Sequence, residues 1–286
     1  MIFNIKKLIV LKYNTVNNKI INMIKEETED YLISNDNILL FKPEFNKSLI
    51  NYIDIISKYD KLIFFNYNDI KIFISINNKF DDYYLYSKFN KPIYILPSNI
   101  TPLNFGSNFN QEVNNLPPNL THLTFGEYFN QEVKNLPPNL THLTFGSNFN
   151  QEVNNLPLNI THLTFDYNFN QQAYIPFSVK YLKLNCNNKY IIDNLSNNIE
   201  ELELNSSFTL ELNNLPSSLK KLIFNKYSLY NKELNCLPKK LELFQLPLYY
   251  NHKIKNIPNG LKKVICSKNY KYINDFKSLE IETYKN

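Results

Sequence analysis

Residues 103–122 read LNFGSNFNQEVNNLPPNLTH, residues 123–142 read LTFGEYFNQEVKNLPPNLTH, and residues 143–162 read LTFGSNFNQEVNNLPLNITH. The segment repeats every 20 residues, and a unit of that size cannot bury its own apolar face. Such units become stable only when neighbouring copies stack on them. The sequence therefore predicts a solenoid in which each copy adds one turn.

Each copy carries apolar residues in an alternating pattern, as in Leu120, Leu123 and Phe125, and weaker copies continue to Leu261, Val264 and Cys266. Alternation with a period of two is typical of a short strand, and stacked copies would align these strands about 4.8 Å apart in a parallel sheet. A Leu-Pro pair precedes each strand, and proline favours extended backbone. We therefore expect a mainly β solenoid of about nine repeats with extended convex return segments.

Three further positions recur along the repeat and predict specific packing, although Tyr128 interrupts the asparagine column. Phenylalanine should form an internal aromatic stack, asparagine should bond backbone groups in an inward ladder, and glycine should allow a close backbone approach at the strand end. The phenylalanines are Phe109, Phe129, Phe149 and Phe169, the asparagines are Asn108, Asn148 and Asn168, and the glycines are Gly106, Gly126 and Gly146.

Residues 1–84 show no clear repeat, and we interpret them as a small mixed α/β N-terminal cap, with the repeat solenoid and a C-terminal cap spanning 85–286. Apolar spacing within the cap region predicts two helices and two strands. The helices are Asn17–Leu32 and Glu44–Tyr59, and the strands are Lys61–Phe65 and Ile70–Ile76.

Composition excludes several classes of protein. The net charge is +5, a mild excess spread along the chain, and arginine is absent, so the sequence does not favour nucleic-acid binding. Cys186, Cys236 and Cys266 are widely spaced, which predicts reduced thiols in a cytoplasmic protein rather than a disulfide framework or a zinc site. No stretch approaches the roughly 18 apolar residues of a membrane span, and no secretion signal is recognisable.

Two copied columns carry chemically capable side chains, namely His122, His142 and His162 and, on the loop side, a column of glutamates. Stacked imidazoles could bind a metal, but duplication copies a surface residue as readily as a functional one, and the repeat supplies no evident carboxylate to hydrogen-bond and orient these imidazoles. The glutamates are expected to be solvated, and no paired, partly buried acid–base site is evident. We therefore predict no catalytic, metal or cofactor site. The glutamates are Glu112, Glu132 and Glu152.

The residues between the core positions of each strand should point outward and line the concave face. In the faithful repeats this face reads His-x-Thr and is uniform. Further on it becomes varied in charge, and specific recognition needs placed charges and anchors. The divergent half is therefore the predicted partner-binding surface. Its residues are Tyr181, Lys183, Glu201, Glu203, Lys221, Ile223 and Lys263.

The repeat resembles the leucine-rich repeat, and more closely the FNIP repeat, whose motif appears as Phe89-Asn90-Lys91-Pro92-Ile93 and recurs as Phe109-Asn110-Gln111-Glu112-Val113. That family is common in social amoebae and in giant viruses of amoebae. The resemblance implies a non-catalytic protein–protein interaction scaffold in the cytoplasm, with a host-cell protein as partner if the source is viral.

Some members of the family carry an F-box, a helical module that docks on a ubiquitin ligase. A cryptic F-box-like segment in residues 1–60 would make the protein a substrate-recognition adaptor. The sequence leaves this alternative open, although the usual Leu-Pro-x-Glu start is lacking and Pro43-Glu44 is a poor substitute. It does not determine the oligomeric state.

Overall fold

A computed structural model describes residues 24–65 and 86–284, and these residues build one sheet of fourteen strands in chain order. The strands are β1 (Ile24–Glu27), β2 (Tyr31–Ser34), β3 (Ile38–Phe41), β4 (Lys61–Phe64), β5 (Pro102–Asn104), β6 (His122–Thr124), β7 (His142–Thr144), β8 (His162–Phe165), β9 (Tyr181–Leu184), β10 (Glu201–Leu204), β11 (Lys221–Phe224), β12 (Leu243–Gln245), β13 (Lys263–Cys266) and β14 (Glu280–Thr283). Helical segments within the described ranges are short. They are α1 (Ile53–Ile56), α2 (Lys189–Asp193) and the 3-10 turns Leu49–Tyr52 and Ile273–Phe276.

The sheet confirms the predicted solenoid. β1, β2 and β3 pair antiparallel, and every neighbouring pair from β3 to β14 is parallel. Equivalent repeat positions are in register, as when Leu123 pairs with Leu143. The nine predicted repeats supply β5 to β13. Strands β3, β4 and β14 lack the repeat but join the parallel sheet, so its twelve strands are connected by about eleven turns.

The predicted phenylalanine stack forms the centre of the solenoid. Phe109, Phe129 and Phe149 are fully buried, with successive ring centroids 6.1 and 6.0 Å apart. A second column of strand phenylalanines runs beside the first, and Phe125 lies 3.8 Å from Phe129. Each ring therefore contacts rings from its own turn and from the turns on both sides.

The asparagine ladder exists, but its predicted position was wrong. Of the three asparagines predicted to form it, Asn168 donates from Nδ2 to Asn148 Oδ1 (3.0 Å), and both side chains reach solvent. The ladder that bonds backbone lies two residues later in each turn. Asn130 Oδ1, for example, accepts from the Asn150 backbone N–H (2.8 Å) and from Gln151 Nε2 (3.1 Å). The chain changes direction at the end of each strand. Only the later asparagine, which follows this change of direction, faces the backbone of the next repeat.

The repeated glycines lie where the backbones of successive turns approach closely. An added Cβ at Gly126 would lie 2.2 Å from the carbonyl oxygen of Gly106, and one at Gly146 would lie 2.1 Å from that of Gly126. No larger side chain fits at that separation. The predicted close approach is therefore confirmed. In the next turn Asp166 occupies this position and accepts a hydrogen bond from Ser147 Oγ (2.8 Å).

The cap region differs from its prediction. The helix expected over Asn17–Leu32 is wrong from residue 24 onward, where β1 and β2 form instead, and residues 17–23 lie outside the described residues. Thr28 Oγ1 accepts from the Tyr31 backbone N–H (3.1 Å), fixing a turn that returns the chain along β1. Pairing with the end of a large sheet outweighs the weak helical preference of so short a segment.

Elsewhere in the cap region the predictions hold in part. Within the helix predicted over Glu44–Tyr59, only a 3-10 turn and α1 form. Strand β4 confirms the strand predicted at Lys61–Phe65. The strand predicted at Ile70–Ile76 lies outside the described residues. Because β3 and β4 join the parallel sheet, it runs across the predicted boundary between residues 84 and 85.

Candidate interaction surface on the outer sheet face

Alternate residues of each parallel strand point into the core and away from it. We use the name outer sheet face for the side chains that point away from the core on β5 to β13. The seven residues predicted to contact a partner all lie on it, six of them on the adjacent strands β9, β10 and β11 and Lys263 on β13. Sequence reasoning missed Leu243 and Gln245 of β12, which complete the surface between them. The lengthened repeat hid these two residues, and counting back from the apolar Phe244 would have found them.

The charges on this part of the outer sheet face pair with one another. Lys183 forms an ion pair with Glu203, and Lys221 pairs with Glu201 at 2.8 Å. The Tyr181 hydroxyl donates a hydrogen bond to Glu203 Oε2, and burial followed by this hydrogen bond raises the pKa of Tyr181 above its usual range. Parallel register places opposite charges on neighbouring strands, so the row is electrostatically compensated before any partner arrives.

The same compensation reaches the end of the sheet. Lys263 Nζ lies 2.9 Å from Glu280 and 2.8 Å from Glu282 of β14, and the hydrogen bonds that it donates to these carboxylates raise its pKa above the usual range. One position before the strands, Glu200 bridges Lys180 (3.1 Å) and Lys220 (2.6 Å). The pairs hold long side chains in fixed positions and thereby define a patterned surface.

The uniform half of the outer sheet face carries the three histidines. His122 and His142 rings lie 4.1 Å apart and His142 and His162 rings 4.0 Å apart, with interplanar angles of 13° and 12°. Thr141 Oγ1 donates to the Thr121 carbonyl (3.0 Å), so it accepts from His142 Nδ1–H (2.9 Å). This arrangement places a proton on Nδ1 of His142.

Stacking determines what the histidines can do chemically. Burial, followed by repulsion from the rings of His122 and His162, lowers the pKa of His142 to about 4, and burial also lowers that of His122. The lone pairs of Nε2 lie in the ring planes, so stacked rings direct them side by side and not toward one point. Among the described residues no group of three or more His, Cys, Asp or Glu side chains is arranged to hold a metal ion.

The remaining candidate groups are separate from one another. Glu112, Glu132 and Glu152 are exposed, as predicted. Cys186 and Cys266 are buried free thiols whose pKa burial raises to about 11, which makes them unreactive at neutral pH. Within residues 24–65 and 86–284, no helix is long and apolar enough to cross a membrane.

Comparisons with known proteins agree with this architecture. The FNIP Repeat family model matches residues 89–128, 112–135, 129–155, 152–187 and 186–227. A solved structure from the giant virus CroV, described as CroV588, a novel circular LRR protein structure, is 31% identical with a TM-score of 0.62. The match covers 85% of this chain but only 38% of that one. No curated protein matches the chain.

The fold and the surface define a leucine-rich-repeat-like solenoid with an extended, patterned outer face. The chain is an FNIP-repeat protein, with the repeats detected across residues 89–227. The two divergent turns at β12 and β13 lie beyond the matched range, yet they keep the parallel register.

Proposed function

We propose that this protein is a non-catalytic scaffold that binds a partner protein on the outer sheet face of β9 to β13, which we expect to be the concave face of the solenoid. The observation that carries the proposal is the fixed pattern of paired charges on those strands, with Tyr181 and Ile223 among them. Interfaces gain specificity from placed charges and a few larger anchors. Repeat solenoids characteristically present such extended binding surfaces.

The near-identical turns from β6 to β8 serve mainly as a spacer. Their outer face repeats His and Thr, so neighbouring turns offer a partner the same groups. The divergent turns offer a different pair on every strand. On the uniform half a partner could bind equally well when shifted by one turn. Only the divergent half therefore restricts a partner to a single register.

The ion pairs allow an unusually well-controlled test. The variant Lys183→Glu/Glu203→Lys/Glu201→Lys/Lys221→Glu inverts the four charges that β9, β10 and β11 carry on this face but preserves both ion pairs. Its thermal midpoint should therefore stay close to that of the parent chain, while the pattern seen by a partner is reversed. A partner isolated by affinity purification from the host cell and identified by mass spectrometry should lose binding to this variant.

The matched control replaces His122, Thr124, His142 and Thr144 with alanine on the uniform half. Binding should survive this change. If the charge-inverted variant binds as well as the parent chain and the control loses binding, the contact lies on the uniform half and the proposal is wrong.

A ligase adaptor would need a helical docking module within residues 1–60. The described part of that range, residues 24–60, supplies strands β1, β2 and β3 to the sheet and only short helical turns, which does not favour such a module. Pull-down of the ligase's adaptor subunit by the full chain would nevertheless establish that role and would leave the outer-face contact as its substrate site.

A further inference from the structure

The basic excess of the chain is concentrated at its C-terminal end, which corrects the even spread expected from the whole-chain balance. Residues 220–284 contain thirteen lysines against five acidic residues, whereas residues 100–170 contain one lysine against five acidic residues. The last turns therefore carry a positive field, and the faithful repeats carry a negative one. A charge-complementary partner of the last turns must be acidic.

Large apolar side chains are exposed on the same turns. Tyr227, Leu229 and Tyr249 are 62%, 75% and 70% exposed. The first two follow β11 and the third follows β12, so all three lie at the edge of the sheet where the parallel strands end. Exposed groups of this kind, when clustered and rimmed by polar residues, mark interaction sites.

The register of the turns brings these side chains together. The Leu248 backbone N–H donates to the Lys226 carbonyl (2.8 Å), and the rings of Tyr230 and Tyr250 stack 6.5 Å apart. Leu229 and Tyr249 directly precede the two stacked tyrosines and therefore lie on neighbouring turns. The stack supplies a rigid buried base beneath the exposed pair.

Lysines border the apolar group. Lys226 Nζ lies 5.2 Å from the ring centre of Tyr227 and 5.4 Å from that of Tyr284, within reach of a cation–π interaction. Lys268, which follows β13, is exposed on the next turn. We use the name carboxyl-edge patch for Lys226, Tyr227, Leu229, Tyr249 and Lys268.

We propose that the carboxyl-edge patch is a second docking surface, which binds an acidic polypeptide segment carrying an aliphatic or aromatic anchor. The anchor would pack on Leu229 and Tyr249, and the acidic residues would face the lysines. This surface is distinct from the outer sheet face, because its residues follow the strands instead of lying on them.

The composition of the patch favours a polypeptide over a nucleic acid. Leu229 is the most exposed of its three apolar members, and an aliphatic side chain offers a base no stacking surface, whereas single-strand binders stack bases on aromatic rings. The chain also lacks arginine, the side chain that most commonly contacts bases.

The test uses the full chain as bait for displayed libraries of short random peptides. Three variants are compared with the parent, namely Leu229→Ser/Tyr249→Ser, Lys226→Gln/Lys268→Gln and the control Tyr167→Ser. Tyr167 is 60% exposed after β8 and lies among the acidic turns, so it tests whether an exposed tyrosine binds the peptides without lysines beside it. Each change is at the surface, so the thermal midpoints should stay nearly unchanged.

The selected peptides should combine aspartate or glutamate with a leucine or an aromatic residue. Their affinity should fall about tenfold in either double variant, remain unchanged in Tyr167→Ser, and weaken as salt is raised. The charge-inverted variant of the outer sheet face should bind them normally, which separates this proposal from the preceding one.

Three results would overturn the proposal: no enrichment of acidic peptides, undiminished binding in both double variants, or equal loss in the Tyr167→Ser control. The same variants are titrated with single-stranded oligothymidylate and with phosphatidylserine vesicles. Binding of either probe that is lost in both double variants, without peptide binding, would assign the patch to nucleic acid or to membrane and would likewise overturn it.

Discussion

Replacing Phe129 with alanine removes a ring that lies at the centre of the phenylalanine stack. The ring is 0% exposed, and its neighbours are Phe125 at 3.8 Å in the same turn and Phe109 and Phe149 at about 6 Å in the adjacent turns. The adjacent residue Tyr128 is 44% exposed. It therefore provides a control that differs in burial but not in location.

The size of the effect follows from how well the surroundings can close the cavity. Truncating a buried phenylalanine typically costs about 3–5 kcal/mol. Here the rings on both sides are held by their own stacks and by the sheet register, so collapse is restricted and we expect about 4–5 kcal/mol. An exposed substitution such as Tyr128→Ala should stay within about 0.5 kcal/mol.

Equilibrium urea unfolding, followed by far-ultraviolet circular dichroism, measures both values. The chain has no tryptophan, so a fluorescence probe would report only on tyrosines. Phe129→Ala should lower the midpoint strongly. Its transition should also broaden if the weakened turn unfolds before the ends, because stability in a solenoid is a sum of neighbouring contacts. Equal midpoints for Phe129→Ala and Tyr128→Ala would show that the stack does not hold the turns together.

Three further predictions concern the histidine column and the asparagine ladder. In the unfolded chain the His142 imidazole has its ordinary pKa of 6.5 and binds a proton below that pH. In the folded chain its pKa is about 4, so it stays unprotonated until the pH is much lower. Stability should therefore fall as pH drops from 7 toward 4, and thermal melts should show a smaller fall for His142→Gln. Calorimetric titration with zinc or nickel should give the same weak signal for the parent and for a triple alanine variant of His122, His142 and His162; micromolar binding lost only in the variant would contradict this. Asn130→Ala should cost about 1–3 kcal/mol, since it strips the Asn150 N–H of its acceptor, whereas Asn154→Ala, which removes only a surface hydrogen bond to Glu152, should change little.

Local pattern was sufficient for much of the fold. Period, apolar alternation and the Leu-Pro pair predicted a parallel β solenoid, and the nine repeats recognised in the sequence became β5 to β13. The phenylalanine stack and the glycine contacts followed as well. Each of these features arises because one repeat packs on another copy of itself. A residue therefore contacts the equivalent residue 20 positions away in the sequence.

The rest depended on contacts that no repeat encodes. β1 and β2 formed in place of a helix because the end of the sheet offered backbone partners, and β14 extended the sheet without a repeat of its own. The ladder position shifted from Asn148 to Asn150 because the turn geometry decides which side chain reaches the next backbone N–H.

The candidate surface divides in the same way. Alternation along each strand predicted, from sequence alone, that Tyr181 and the other six predicted contact residues lie on the outer sheet face. Only the tertiary structure decided that Lys183 pairs with Glu203 and that Leu229 and Tyr249 lie on neighbouring turns at the carboxyl edge. The physical reason is register: sequence periodicity fixes which way a side chain points, but the lateral pairing of turns fixes what it meets.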